Sequence, residues 1–229
     1  MTETIRVQKY LSQKGICSRR QAETYIREGR LSVDGSQLTL GDRVQPGALI
    51  FMDGAPMDIP EEVTPMLLAF YKPRGVESTL KAIDKTKTLA DFDFGGRVFP
   101  IGRLDKDSHG LLLLTNDGEL ANKLMHPRYE KEKEYLVQTH KKMEDKDIEA
   151  LQAGIMLDDK KTAPCKVDVI NDDTVAITLK EGRNRQIRRM CVELGYEVTD
   201  LLRVRVGKVH LKDLKPGDIK PLSFSIVKD

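Results

Sequence analysis

Residues 110–115 read GLLLLT. A run of leucines this short, entered at glycine and followed by Asn-Asp-Gly, predicts a strand buried on both faces. MLLAFY (66–71) and RVFPI (97–101) read as further buried strands, and KEYLVQT (133–139) and DTVAITL (173–179) as two more. LLRVRVGKVHL (201–211) alternates at period two. EDKDIEALQAG (144–154) and RQIRRMCVELG (185–195) have helical spacing, each closing on glycine. Several strands follow one another without an intervening helix, which predicts an α+β domain with a largely antiparallel, mixed sheet rather than a doubly wound one. No glycine-rich phosphate loop is present, so no nucleotide cofactor is indicated.

The first part of the chain reads differently. Val7, Tyr10 and Leu11 lie on one face of a short helix that Gly15 ends. Ser18 is placed to cap a second helix, with Gln21 as its capping-box partner and Gly29 as the stop. LSVDGSQL then predicts a hairpin turning at Asp34-Gly35. Arg6, Lys9, Lys14, Arg19, Arg20, Arg27 and Arg30 face only Glu23 and Glu28 in this stretch, a positive surface suited either to a polyanion or simply to water. Residues 54–65, GAPMDIPEEVTP, carry three prolines and read as linker. The expected division is a small domain over 1–58, a linker over 59–65 and a larger domain over 66–229.

Of 229 residues, 39% are hydrophobic and 32% charged, enough apolar material for a core in the larger part. A net charge of +2 is too small to indicate nucleic acid by itself, so the placement of the basic residues has to carry that case. Cys17, Cys165 and Cys191 are odd in number and widely spaced, which speaks against a disulfide framework or zinc ribbon and fits a reducing cytoplasm. The N-terminus lacks a signal-peptide pattern, and no apolar run reaches membrane-spanning length. A soluble, cytoplasmic protein is the expectation, with monomer as the default.

Two charged constellations stand out. Asp105, in GRLDKDSHGLLLLTNDGEL (102–120), lies in a loop feeding the leucine strand. A loop aspartate often only accepts backbone hydrogen bonds, and with Asp107 it could also serve a metal, although no histidine–carboxylate cluster completes such a site. Farther on, Arg183, Arg185, Arg188 and Arg189 crowd the start of a helix whose buried face is Ile187, Met190, Cys191 and Leu194. Cations there oppose the helix dipole, a local conflict that tends to mark function, and they call for anions nearby.

RVQKYLSQKGICSRRQAETYIREGRLSVDG resembles the S4 domain, a small RNA-binding module, over most of residues 5–52. The resemblance implies phosphate contacts from Arg19 and Arg20. KPRG (72–75), GRLDKDSHGLLLLTNDG (102–118), EKEYLV (132–137) and EGRNRQIRR (181–189) resemble, in order, the motifs of the RsuA-type pseudouridine synthases, which carry an N-terminal S4 domain. Membership implies isomerisation of a uridine in structured ribosomal RNA without a cofactor or metal, and neither DNA nor a membrane as partner. The large-subunit RNA is favoured; the small-subunit RNA, transfer RNA or a non-catalytic assembly role are the alternatives. By the same resemblance Asp105 is the catalytic aspartate, Tyr135 packs on the target base and Arg188 pairs with the aspartate. Arg103 fills the gap left by the extruded nucleotide. Leu104, Arg183, Arg185, Gln186 and Ile187 bind substrate, Ile187 by lining the base pocket. A carboxylate beside leucines needs a nearby cation to stay ionised, the role expected of Arg188. Whether Asp105 attacks C1′ or takes a proton from C2′ stays open.

Overall fold

A computed structural model describes residues 4–227 of the chain. These fall into two compact units, one comprising residues up to Pro65 together with 116–118 and the other residues 66–115 and 119 onward.

The first unit contains β1 (Ile5–Arg6), α1 (Val7–Gln13), α2 (Arg19–Arg27), β2 (Leu31–Val33), β3 (Ser36–Gln37), β4 (Arg43–Val44), β5 (Ile50–Met52) and β6 (Ala55–Pro56). Four of the strands form a sheet in the order β3-β2-β5-β6, and β1 pairs with β4. Val7, Tyr10, Leu11, Ala22, Ile26, Leu31 and Ile50 make the core beneath the helices. The Ser18 hydroxyl accepts the Gln21 amide at 3.1 Å, as the cap requires. The Gln21 side chain does not complete the box; it donates to the Tyr25 hydroxyl at 2.9 Å, one helical turn on. The proline-rich stretch is not all linker either, because Ala55–Pro56 pairs with β5, and Met57 and Ile59 pack on the core.

The second unit contains β7 (Leu67–Lys72), β8 (Phe99–Ile101), β9 (His109–Thr115), α3 (Gly118–Met125), β10 (Lys133–Thr139), α4 (Asp145–Ala153), β11 (Met156–Leu157), β12 (Lys160–Lys161), β13 (Lys166–Val169), β14 (Thr174–Leu179), α5 (Gln186–Glu193), β15 (Val198–Val206), β16 (Val209–His210) and β17 (Ile219–Pro221). The main sheet runs β13-β14-β10-β15-β9-β7-β17. Only β15 and β9 pair in parallel; the other neighbours are antiparallel. This is the α+β, antiparallel-dominated architecture anticipated from the pattern.

The leucine run explains itself here. Leu111 and Leu113 enter one core with Leu67, Ala69 and Ile101, whereas Leu112 and Leu114 enter another with Leu68, Phe70 and Leu104. Successive side chains of a strand point to opposite faces, so a strand feeding two cores must be apolar at every position. Each buried leucine contributes roughly 1.5–3 kcal/mol. β15 pairs with the first two residues of β9 and β8 with the last three, while β7 runs along its other edge. The loop ahead of His109 therefore projects from the most fixed strand of the unit.

Candidate active site

Every carbonyl from Leu104 to Asp107 is claimed. The Ser78 hydroxyl donates to Leu104 O at 2.7 Å and accepts the Leu104 amide at 3.1 Å. Asp105 O accepts the Ser108 amide at 3.1 Å, and Lys106 O accepts the Gly75 amide at 2.8 Å and the Lys72 ammonium at 3.5 Å. Asp107 O accepts Arg74 Nε at 3.1 Å and Arg188 Nη2 at 3.3 Å. With its backbone held, the loop presents the Asp105 side chain 26% exposed, recessed yet reachable.

The cation at that carboxylate is Arg185, whose Nη1 lies 4.0 Å from Asp105 Oδ2 and 3.9 Å from Asp107 Oδ2. Arg185 caps α5 with a left-handed backbone, φ 48°. The expected pairing of Asp105 with Arg188 is not what the structure shows. Arg188 is half-buried and spends its guanidinium on backbone, Nη1 donating to Val198 O at 2.9 Å and Nη2 to the loop. It sits on the buried side of the helix start, where carbonyls are in reach. Burial, and then Arg185 close by, hold its pKa below the usual arginine range.

A row of side chains crosses four strands beneath the loop. Tyr135 of β10 is register-paired with Arg203 of β15, Arg203 with Gly110 of β9, and Gly110 with Lys72 of β7. Paired residues share a sheet face. Gly110 keeps the row open: at φ +101°, its missing Cβ would stand 2.4 Å from Arg203 O and 2.6 Å from Leu202 Cδ1. Arg203 is 3% exposed, donates Nε to Leu111 O at 2.7 Å, and places its guanidinium carbon 6.0 Å from the Tyr135 ring centre. Lys72 is fully buried, its ammonium on Val76 O at 2.7 Å and Pro73 O at 2.9 Å. Burial lowers its pKa to about 8; the Asp105 charge opposes that shift and Arg203 adds to it. Among the described residues the buried side-chain polar atoms without a hydrogen-bond partner include Ser108 Oγ, Arg188 Nε and Arg203 Nη2, all around this loop.

The remaining expected substrate contacts divide. Arg103 is exposed beside Asp105. Leu104 and Ile187 are core residues, 6% and 4% exposed. Gln186 is buried, its side chain accepting the Arg183 amide at 2.9 Å and donating to Glu181 at 2.8 Å. Arg183 donates to Lys160 O and Lys161 O at 2.8 and 2.6 Å, and Arg189 pairs with Asp158 at 2.6 Å. Part of the arginine cluster thus fastens the β11–β12 hairpin, a demand for anions and carbonyls met inside the protein. Arg74, Ser78 and Arg203 were not singled out from sequence. The available signal for Arg203 was an arginine at a position in phase with Leu201 in an alternating strand.

In the first unit, Arg19 and Arg20 are exposed on α2. Arg30 is neutralised by Asp53, with Nη2 to Oδ2 at 2.7 Å, and stacks over Tyr25 at 4.9 Å. The positive face is therefore narrower than the composition suggested, and centres on the start of α2.

Comparison with known proteins matches both parts of the chain. The family model described as RNA pseudouridylate synthase matches residues 66–193, and that of the S4 domain residues 5–50. The chain is 40% identical over 220 residues to the dual-specificity RNA pseudouridine synthase RluF of Escherichia coli strain K12, covering 96% of this chain and 76% of that one. It is 40% identical over 232 residues to the ribosomal large subunit pseudouridine synthase B of Bacillus subtilis strain 168, covering 97% and 94%. A crystal structure of a pseudouridylate synthase superposes with a TM-score of 0.71 at 29% identity, covering 97% of this chain and 98% of the other.

Proposed function

The chain belongs to the RNA pseudouridylate synthase family, and on that premise we propose that it isomerises a uridine of large-subunit ribosomal RNA, with Asp105 as the reacting carboxylate. The observation that carries the assignment is the Asp105 loop itself: a backbone fixed at four successive carbonyls, holding one recessed carboxylate beside Arg185. The likeness to a relative named for the ribosomal large subunit supports the choice of RNA.

In the reaction the bond from ribose C1′ to N1 breaks, the uracil turns, and C1′ rejoins through C5. The proton leaving C5 is balanced by one gained at N1, so no cofactor takes part in the bookkeeping. A stacked base cannot reach a recessed carboxylate, so the uridine is flipped out, at a cost of a few kcal/mol that phosphate contacts offset. Exposed Arg103 is placed to occupy the gap. Asp105 acts as an anion, at C1′ or on the C2′ proton; Arg185 favours that charge from the solvent side, and Lys72 through its field from below. Tyr135 offers the freed uracil a flat face and, through its hydroxyl, a group for the proton lost at C5. Arg188 holds the loop, which makes it a positioning residue. Arg19 and Arg20 grip the RNA backbone through the S4 unit.

The test is carbodiimide mapping of pseudouridine by primer extension on unmodified large- and small-subunit ribosomal RNA. A single new stop on the large-subunit RNA is expected. Stops confined to the small-subunit RNA or a transfer RNA would move the substrate assignment, and none on any of these would remove it.

A further inference from the structure

Behind the Asp105 loop runs a chain of polar side chains that the reaction as described above does not use. The Tyr71 hydroxyl lies 2.9 Å from His109 Nδ1. His109 Nε2 lies 3.1 and 3.0 Å from the two carboxylate oxygens of Asp200. Asp200 Oδ1 accepts Arg74 Nη2 at 2.8 Å, and the same Nη2 donates to Thr199 O at 2.8 Å. Arg74 Nε then donates to Asp107 O at 3.1 Å. The Tyr71 and His109 rings are stacked, centres 5.8 Å apart. Four side chains from β7, the turn after it, β9 and β15 thus form a series whose last member, Arg74, reaches one carbonyl of the loop that carries Asp105.

Geometry makes the order of dependence plain. Arg74 is about half exposed, and a long exposed side chain samples many rotamers unless something fixes it. Asp200 and Thr199 O fix it from one side, so that its Nε is aimed at Asp107 O. Asp200 is in turn oriented by His109, and His109 by Tyr71, whose pKa is raised by burial and by the Asp200 charge. Arg188 approaches the same carbonyl from α5. Without Arg74 the loop keeps Arg188 but loses its link to Asp200 and Thr199 of β15, and the Asp107 side chain, already 3.9 Å from Arg185 Nη1, competes with Asp105 for that cation.

We propose that Arg74, held by the Tyr71–His109–Asp200 chain, is a positioning residue that sets the placement of Asp105. The inference rests on the reading of Asp105 as the reacting carboxylate, and concerns a group that touches neither substrate nor the reacting atoms.

Two measurements on Arg74→Met, Asp200→Asn, His109→Leu and His109→Gln test it. Amide hydrogen exchange needs no turnover: in Arg74→Met and Asp200→Asn, peptides spanning 104–108 exchange at least about tenfold faster, while those of the leucine strand are unchanged. Single-turnover kinetics then show a rate lower by about 10- to 100-fold, with the RNA concentration for half-maximal rate within about twofold of wild type. Arg74→Met and Asp200→Asn are non-additive, as members of one chain should be. His109→Gln, which restores an amide donor towards Asp200, recovers most of the rate lost in His109→Leu. Unchanged exchange in the loop overturns the proposal whether or not the enzyme is active on the RNA tried. Faster exchange with a wild-type rate overturns its catalytic part. Absence of turnover in the wild type itself counts against the functional reading above, and leaves the exchange result to decide the clamp.

Discussion

Arg185 Nη1 stands 4.0 Å from Asp105 Oδ2, held there by a backbone in the left-handed region at φ 48°. A non-glycine residue pays roughly 1–2 kcal/mol for that conformation, and a cation at the N-terminus of α5 also opposes the helix dipole. Two local penalties at one residue are tolerated where the side chain has work to do.

Arg185→Gly relieves both penalties. The variant is expected to gain about 1 kcal/mol in urea unfolding while its single-turnover rate falls about 10- to 100-fold. Loss of stability, or a full rate, would mean that the left-handed cap serves the fold and not the carboxylate.

Gly110→Ala tests the row beneath the loop. The added Cβ meets Arg203 O at 2.4 Å, and alanine is strained at φ +101°. A destabilisation of about 2–4 kcal/mol is expected, visible as a lower urea midpoint with an unchanged slope. A cost below about 0.5 kcal/mol, the range of ordinary surface substitutions, would contradict the close approach of β9 and β15.

Stability should rise with pH just above 8. Lys72 has its pKa lowered from 10.5 to about 8 by burial, so above pH 8 the unfolded chain binds a proton that the folded chain releases, and stability grows with pH. Lys133, also lowered by burial, adds to the same side. Thiols act oppositely: burial pushes Cys165 up to about 11 and Cys191 to about 12 from 9.0, so above pH 9 the unfolded chain ionises first. The rise should therefore end near pH 9, and Lys72→Met should flatten it. Urea midpoints that fall steadily from pH 8 would rule out the depressed lysine.

Arg19→Glu combined with Arg20→Glu should weaken RNA binding without changing the rate at saturating RNA. Each lost phosphate contact lowers the slope of log affinity against log salt by about 0.7–0.9. Filter binding across a salt series gives the slope; one identical to wild type would take α2 out of the interface.

The strands and the loop ahead of the leucine strand were legible in the sequence because their signals are local. KEYLVQT matches β10 residue for residue, and GLLLLT announced burial on both faces because two cores claim alternate leucines. The identity of the cation beside Asp105 was not legible. Arg185 and Arg188 lie three residues apart in one arginine-rich run, and which of them meets the carboxylate depends on the left-handed cap and on the carbonyls of Asp107 and Val198, one of them from a distant part of the chain. Lys72, Arg203 and Gly110 share a row only through the order β15-β9-β7, which no sequence window contains. The β13 strand alternates in sequence, KVDV, but only over four residues, and of its two valines only Val167 is buried, Val169 being exposed at the sheet edge.

The most direct test of the central claim is release of tritium from ribosomal RNA labelled at uracil C5, measured for wild type and Asp105→Asn at equal, stoichiometric protein. That proton leaves only when C1′ is joined to C5. Release by the wild type, none by Asp105→Asn, and the same unfolding midpoint for both is the expected result. Release by Asp105→Asn at a rate within about tenfold of wild type would contradict the assignment, since a carboxylate essential to the chemistry is worth far more than the 1.4 kcal/mol that a factor of ten represents.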